Sequence, residues 1–285
     1  MSSQEPCRFN CELFGKRAHF WESTVVPLWQ ESYHSLVKRA RVAEGSAALD
    51  VGTGSGEVAI RLASLVGDGG RVVGIDSQPE MLEIARRKAS GRGLRNVEFR
   101  EMPMESMDLA DGAFDSVVAS YSLCCCTDYR ATLEECFRVL SGGGRLTYDH
   151  GGPNNPPAYQ VITDLFEEYK PKAPSKKLKE MRESEASQAE AVEEYLDPFA
   201  TLKALRDVGF ADAEATLTRT VLRYGSVESY VDEWLLFDWA LEAEEMPPAT
   251  LARFRKAAAE ALAPQAKGGT FDVERDTIFF TGVKQ

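Results

Sequence analysis

The sequence contains no apolar run close to the roughly 20 residues that a membrane-spanning helix requires. Its first residues, Met1 to Phe9, lack the apolar segment that directs secretion. Basic side chains are also in deficit, with 33 Lys and Arg against 45 Asp and Glu, so the formal net charge is -12. An acidic surface repels the phosphates of nucleic acids. These absences predict a cytoplasmic protein with no membrane span and no nucleic-acid partner.

Histidine, a common metal ligand, is scarce as well. The chain has three histidines and six cysteines, and three of the cysteines are adjacent at Cys124, Cys125 and Cys126. Zinc sites use spaced ligands, because neighbouring side chains rarely converge on one ion. A chain of 285 residues can bury a sizeable core and needs no disulfide scaffold. We therefore expect reduced thiols and no bound metal.

The sequence does contain a regular alternation of short apolar segments with helix-like segments. This order is typical of a parallel sheet that is covered by helices on both faces. The segments that predict strands are Ala47–Val51, Arg71–Asp76, Val97–Phe99, Phe114–Ala119, Arg145–Tyr148, Glu214–Leu222 and Thr277–Val283. The segments that predict helices are Val58–Ala63, Pro79–Ala89, Tyr129–Leu140, Pro198–Val208, Val227–Leu241 and Pro248–Leu262, with a solvated helix in Lys170–Glu194. The glycine run at 142–144 is expected to end the helix before the fifth strand.

A glycine-rich turn, Asp50-Val51-Gly52-Thr53-Gly54-Ser55-Gly56, joins the first strand to the next helix. Glycines at alternate positions allow a sharp turn and let a ligand approach the main chain closely. The helix that follows directs its unpaired N–H groups at such a ligand. Dinucleotide-binding proteins use G-x-G-x-x-G, whereas here the third glycine comes one residue earlier and Glu57 takes its place. The turn therefore predicts a nucleotide-type ligand and disfavours a dinucleotide.

Further segments follow the glycine turn in a characteristic order. Asp76 ends the second strand, where a carboxylate accepts hydrogen bonds from the two ribose hydroxyls of an adenosine. After it come Pro79-Glu80-Met81-Leu82, Asp111-Gly112-Ala113-Phe114-Asp115-Ser116-Val117, and Glu134-Glu135-Cys136-Phe137-Arg138-Val139-Leu140 ahead of three glycines. With these matches, residues 46–150 resemble the class I S-adenosylmethionine (SAM)-dependent methyltransferases. Within that superfamily they look most like the ubiquinone- and menaquinone-biosynthesis type.

The resemblance implies an α/β fold with a seven-stranded, Rossmann-like sheet, mostly parallel with the last strand antiparallel, and with helical cap insertions. We expect residues 1–45 to form an N-terminal helical lid and residues 46–151 to form the SAM-binding core. Residues 152–196 would be a helical insertion. Residues 197–285 would complete the core and carry inserted helices at about 225–268.

The same resemblance implies which residues bind SAM. The glycine turn, with Asp50, Gly52, Thr53, Gly54 and Gly56, would contact the methionyl part, and Asp76 would bind the ribose. Ser77 or Gln78 would lie near the adenine, and Ser120 would line the methionine or the methyl end. The Asp-Ala pair that the family carries after the third strand falls here on Pro103-Met104. Met104 would then offer its backbone N–H, and Glu105 would replace the missing carboxylate.

Methyl transfer from a sulfonium releases a neutral thioether, so alignment in a dry site matters more than acid catalysis. A base is needed only where the acceptor must lose a proton. His150 follows the predicted fifth strand and is a candidate base or substrate-orienting group; alternatively it is a loop histidine that caps backbone groups. Tyr121 follows the fourth strand and would orient an acceptor, or would pack as an ordinary aromatic residue.

Aromatic residues outside the predicted core point to the acceptor. Trp21, Trp29, Trp234 and Trp239 would pack the caps onto the sheet, and a few of them would line a pocket for a small apolar or aromatic molecule. The sequence thus predicts a SAM-dependent methyltransferase of a small molecule. The alternatives are a protein or RNA methyltransferase and a non-catalytic SAM-binding regulatory protein. Arsenic methyltransferases share the fold and use cysteine ligands, so a metalloid acceptor on Cys124–Cys126 is a further alternative.

Overall fold

The computed structural model describes residues 11–152, 155–187, 197–237 and 239–285. Within this part of the chain, seven strands form one sheet in the order β3-β2-β1-β4-β5-β7-β6. The strands are β1 (Ala47–Val51), β2 (Arg71–Asp76), β3 (Val97–Glu101), β4 (Phe114–Ser120), β5 (Leu140–Gly151), β6 (Ala211–Tyr224) and β7 (Phe271–Val283). The pairs from β3 across to β5 are parallel, whereas β7 runs antiparallel to β5. The predicted α/β sheet is therefore confirmed.

Helices connect the strands. In chain order they are α1 (Cys11–Lys16), α2 (Ala18–Phe20), a π-helical turn (Trp21–Val25), α3 (Val26–Leu28), α4 (Gln30–Ala40), α5 (Glu57–Val66), α6 (Pro79–Gly91), α7 (Tyr129–Val139), α8 (Pro157–Tyr169), α9 (Lys176–Ser187), α10 (Pro198–Val208), α11 (Val227–Leu236), α12 (Ala240–Glu245) and α13 (Pro248–Leu262). Short 3-10 turns cover Leu123–Cys125 and Ala263–Gln265. No helix in these ranges is long and apolar enough to cross a membrane.

The central strands are apolar on both faces, as expected where helices cover both sides of a parallel sheet. Leu49 and Val51 of β1 and Val117 of β4 are fully buried in the resulting core. The register pairs Val51 with Ile75, and Asp50 with both Gly74 and Val118. The carboxyl ends of β1, β2 and β4 therefore meet at one edge of the sheet, where ligands of open α/β sheets bind.

Strand β5 differs from its prediction at both ends. It begins at Leu140 and continues to Gly151, and the pairing with β4 shifts between Phe114 and Ser116. The glycine run at 142–144 therefore lies within the strand and not in a turn before it. Gly144 fits there because a Cβ would lie 2.9 Å from the Ser141 carbonyl oxygen. The prediction that the strand ends at Tyr148 was wrong, and His150 is a strand residue.

Other boundaries also changed. Strands β6 and β7 are longer than predicted, and the helix predicted over 227–241 is divided into α11 and α12. The solvated helix predicted over 170–194 is α9 in its middle part, and residues 188–194 lie outside the described residues.

The described chain divides into two compact units. The first contains the described residues of 1–151, 190–218 and 277–285, and the second those of 152–189 and 219–276. In the second unit, aromatic rings pack on one another: Phe166 stacks on Trp239 at 4.1 Å, and Trp234 lies 5.6 Å from Trp239. Both tryptophans thus contribute to the packing of this unit. The assignment of residues 1–45 and of the insertions as a lid and caps stays a prediction.

Candidate functional site

The first unit contains a cavity of about 300 Å³ at the carboxyl ends of β1, β2 and β4. Residues of the glycine turn, of the end of β2 and of the segment 102–105 form most of its polar wall. Among the residues predicted from the sequence, those lining the cavity are Asp50, Gly52, Thr53, Gly54, Asp76, Ser77, Gln78, Met104, Glu105, Ser120 and Tyr121. The structure thus brings nearly all of the predicted site together.

The three glycines of the turn differ in what they contact. All have positive φ, with 66° at Gly52, 52° at Gly54 and 83° at Gly56. A Cβ on Gly52 would lie 2.3 Å from Cβ of Ser122, whereas a Cβ on Gly54 would meet nothing within 4 Å. Gly56 caps helix α5, and a Cβ there would lie 2.7 Å from Cβ of Ala85. Gly56 lies outside the cavity lining, so the structure places it in the packing of α5 on α6.

Asp76 anchors the turn at the edge of the cavity. Its Oδ2 accepts the Gly54 N–H at 2.8 Å, and its Oδ1 accepts the Gln78 N–H at 2.9 Å. These bonds fix the carboxylate at the cavity wall, where it can face the hydroxyls of a ligand.

Asp50 stabilises the same turn from the buried end of β1. This carboxyl group is buried, and its Oδ2 accepts the Thr53 hydroxyl at 2.6 Å and the Ala59 N–H at 2.9 Å. Burial raises the pKa of Asp50 to about 7, although the hydrogen bonds from Thr53 and Ala59 oppose the rise. A cationic ligand group in the cavity would therefore favour the ionised form of Asp50.

The N-terminal helices form an aromatic wall of the cavity. Phe14, Trp21 and Tyr33 line it, and the rings of Phe14 and Trp21 meet edge to face at 5.3 Å. Sequence reasoning had placed Trp21 among the cap residues but had not identified Phe14 or Tyr33. The spacing of aromatic residues identifies a helix face, but it does not show which sheet edge that face covers.

An ion-pair network joins this N-terminal segment to the sheet helices. Nζ of Lys88 lies 2.8 Å from Oε1 of Glu22 and 3.1 Å from Oε2 of Glu57. Burial opposes ionisation of Glu57, but Lys88 and Arg61 outweigh it and lower the pKa of this carboxyl. Glu57, which replaces the glycine of the dinucleotide pattern, is thus an ionised residue of the cavity wall.

The segment after β3 also lies at the cavity. Met104 and Glu105 both line it, but the Glu105 carboxylate already accepts the Thr127 N–H at 2.6 Å and the Thr127 hydroxyl at 3.0 Å. Glu105 therefore fixes the position of the loop around Thr127.

Of the three adjacent cysteines, Cys125 lines the cavity. None of the three is in a disulfide, and Sγ of Cys124 lies 3.9 Å from Sγ of Cys125. The described residues contain no group of three or more His, Cys, Asp or Glu that fits a metal ion. The metalloid alternative thus rests on the sequence alone.

The geometry contradicts the expected position of His150. The side chain is 1% exposed, its ring packs at 4.9 Å from Phe280, and it does not line the cavity. Its Nδ1 lies 2.7 Å from the Gly151 carbonyl oxygen, and burial lowers its pKa. Because side chains alternate along a strand, His150 shares a sheet face with Tyr148, which also stacks on Phe280. The neighbouring Asp149 faces the opposite side, toward helix α4, where its carboxylate accepts the Ser32 hydroxyl at 3.3 Å.

Comparison with known proteins identifies the family. A family profile described as "Methyltransferase domain" matches residues 43–200, which is more than half of the chain. The chain belongs to this family. The match confirms the resemblance to SAM-dependent methyltransferases, and SAM is the cofactor of the family.

Individual relatives agree with this assignment. A demethylmenaquinone methyltransferase of Thermus thermophilus is 45% identical over 118 residues, which are 41% of this chain and 53% of that protein. The uncharacterised methyltransferase YcgJ of Bacillus subtilis is 28% identical over 166 residues, which are 58% and 62% of the two chains. The crystal structure of YcgJ superposes with a TM-score of 0.54 at 19% identity, covering 90% of this chain and 98% of that one, and shows the fold. The match to each of these two sequences thus spans less than two thirds of that relative.

The cavity fits the family cofactor. Gly54 leaves open space at the cavity wall. The carboxyl groups of Asp76 and Asp50 also line the cavity. The first carboxylate suits a diol and the second suits an ammonium group, which are the ribose and methionyl ends of SAM.

Proposed function

We propose that this protein transfers a methyl group from SAM to a small apolar or aromatic acceptor. The observation that carries the proposal is the arrangement of Asp50, the glycine turn and Asp76 around one cavity at the carboxyl ends of the strands. Loops at this edge of an open α/β sheet hold nucleotide-type ligands.

The assignment of SAM follows the polar groups of the cavity. Asp76 would accept the two ribose hydroxyls, and Asp50 with Thr53 would hold the methionyl end, next to the open side of Gly54. Ser77 and Gln78, directly before α6, would lie beside the adenine together with Met104. Met102, Pro103 and Met104 line the cavity at this point, and their apolar side chains suit the faces of a purine.

The methyl donor supplies an electrophilic carbon on a sulfonium, so the protein must align an acceptor and exclude water. Ser120 and Tyr121 end β4 at the cavity and are the residues proposed to orient the acceptor. The Tyr121 hydroxyl lies 2.6 Å from Oγ1 of Thr277, which fixes the direction of its ring. His150 has no part in this proposal, because it faces away from the cavity.

A reduced quinone is the acceptor class that we propose to test first. A relative 45% identical over 118 residues is named for demethylmenaquinone methylation. The aromatic wall of Phe14, Trp21 and Tyr33 suits a flat apolar ring. The net charge of -12 disfavours nucleic acid as the acceptor. Cys124–Cys126 form no disulfide, which is compatible with the reducing, cytoplasmic location that we propose.

The test is incubation with SAM carrying a deuterated methyl group and 1,4-naphthohydroquinone, followed by mass spectrometry of the product. Transfer of the labelled methyl group supports the proposal, and Asp76→Ala should slow it at subsaturating SAM. Calorimetry with SAM runs in parallel. Binding of SAM without transfer to the hydroquinone or to any component of a metabolite extract would favour a non-catalytic SAM-binding protein instead.

A further inference from the structure

Tyr121 adopts a backbone conformation that side chains other than glycine rarely adopt. Its φ is 48°, in the left-handed region, at the point where β4 ends and the chain turns along the cavity. A residue with a Cβ pays for this conformation in strain of about 1–3 kcal/mol unless its surroundings hold it in place. Such outliers cluster at functional sites, and Tyr121 lines the cavity.

Contacts on both sides of the residue hold this conformation. The Tyr121 N–H donates to Oδ1 of Asp149 at 2.8 Å, and the Tyr121 carbonyl accepts the Cys124 thiol at 3.2 Å. The ring packs against Trp29 at a centroid distance of 4.5 Å. Backbone and side chain are therefore both fixed before any ligand binds.

Asp149 supplies the carboxyl group of this arrangement. It is fully buried in β5, where an aspartate is costly unless it is paired. Its second oxygen accepts the Ser32 hydroxyl of α4 at 3.3 Å. Asp149 thus connects the strand that bears it to both the turn of Tyr121 and helix α4, which carries Tyr33 of the aromatic wall.

We propose that Asp149 is a positioning residue for methyl transfer, because its carboxylate fixes the left-handed turn that presents Tyr121 to the cavity. This inference rests on the proposed function, in which Tyr121 orients the acceptor. Asp149 does not line the cavity, so it acts on the reaction only through Tyr121. A misplacement of about 1 Å at such a residue costs up to the order of a hundredfold in rate.

The ionisation of Asp149 gives the proposal a second observable. Burial raises the pKa of Asp149 to about 7, while the Tyr121 N–H, the hydroxyls of Ser120 and Ser32, and the charge of Arg39 oppose the rise. Tyr33 of α4 also faces this carboxyl, and burial together with the charge of Asp149 raises the pKa of Tyr33. The carboxylate accepts the Tyr121 N–H more strongly than the neutral acid does, so the turn is held best above pH 7.

The direct test is NMR of protein labelled with ¹⁵N-tyrosine. The amide signal of Tyr121 is identified as the one missing in Tyr121→Phe. Its proton shift should move with pH about a midpoint near 7 in the wild type and should be constant in Asp149→Asn. Asp115→Asn is the matched control, since Asp115 also accepts a backbone N–H, from Ala47 at 2.9 Å, but lies at the other end of β4. No titration in the wild type, or an unchanged titration in Asp149→Asn, would overturn the proposal.

Kinetics with the hydroquinone then test the consequence. Asp149→Asn should lower kcat/KM at pH 8 by about tenfold and flatten its pH dependence, while the Kd of SAM stays within about twofold of wild type. Unchanged kinetics in Asp149→Asn would contradict a positioning role even if the amide titrates. The NMR result needs no turnover, so failure of the proposed function would leave the hydrogen bond itself testable.

Discussion

Substitution of Gly52 by alanine should destabilise the protein far more than the same substitution at Gly54. Both glycines have positive φ, so each variant bears the strain of a left-handed alanine, about 1 kcal/mol. At Gly52 the new Cβ would also lie 2.3 Å from Cβ and 2.9 Å from Oγ of Ser122, whose hydroxyl donates to the Val51 carbonyl at 2.6 Å. Overpacking costs about 1–3 kcal/mol and loss of a buried hydrogen bond about 1 kcal/mol. We expect Gly52→Ala to lose about 3–5 kcal/mol of unfolding free energy.

At Gly54 the new Cβ meets no atom within 4 Å and stands at the wall of the cavity. Gly54→Ala should therefore lose only about 1 kcal/mol of unfolding free energy, while SAM binding weakens because the methyl group takes ligand space. Urea unfolding followed by circular dichroism, with calorimetry for SAM, measures both effects. Ser122→Gly in the Gly52→Ala background should restore the part of the loss that is due to the clash. Equal unfolding midpoints for the two alanine variants, or no rescue by Ser122→Gly, would refute this reasoning.

Three further predictions concern charged groups of the site. The Kd of SAM should rise as pH falls below about 7, because the cationic methionyl end binds best to ionised Asp50. In Asp50→Asn, calorimetry should show weaker SAM binding with a Kd that does not depend on pH. A buried carboxyl group with a raised pKa favours folding when it is protonated, so its contribution is lost as pH rises through about 7. Thermal unfolding of the SAM-free protein should accordingly show a smaller decrease in Tm from pH 6 to pH 8 in Asp149→Asn than in the wild type. Lys88→Met should destabilise the protein by about 1–3 kcal/mol near pH 7. Because Lys88 lowers the pKa of Glu57 below its usual 4.5, this loss should shrink as pH falls below that value. An equal loss near neutral pH and well below the usual carboxyl pKa in denaturant titrations would contradict the pairing.

The sequence allowed much of the cofactor side of the site to be predicted. A glycine turn after a buried strand and an aspartate at the end of the next strand are local signals, and the parallel register of β1 and β2 brings Asp50 and Asp76 to the same edge. Gly56 belongs to the same motif but lies outside the cavity, because its role is to let α5 pack closely on α6. A motif therefore identifies the turn without distinguishing the glycines that face the ligand from those that face the core.

The acceptor side was less accessible, for physical reasons. The glycine run at 142–144 predicted a turn, yet it forms the irregular start of β5, and the longer strand places His150 on the opposite face from Asp149. When the end of a strand moves by a few residues, a residue predicted to lie in a loop, such as His150, becomes a buried strand residue. The left-handed conformation of Tyr121 has no sequence signal either, since it depends on the tertiary contacts that hold its backbone.

Aromatic residues of the N-terminal helices show the same limitation. Helical periodicity predicted an amphipathic segment, and on that basis Trp21 and Trp29 were predicted to pack a cap onto the sheet. Only the fold shows that Phe14 and Tyr33 join Trp21 in the cavity lining and that Trp29 packs on the Tyr121 ring.

Calorimetric titration of the purified protein with SAM, compared with Asp76→Ala, tests most directly that this cavity is a SAM site. We expect the wild type to bind SAM at a single site. Loss of the charge-assisted hydrogen bonds to the ribose should weaken binding by about tenfold or more in Asp76→Ala. Absence of binding to the wild type at millimolar SAM, or equal affinity of the two proteins, would contradict the assignment of the cavity and with it the proposed methyl transfer.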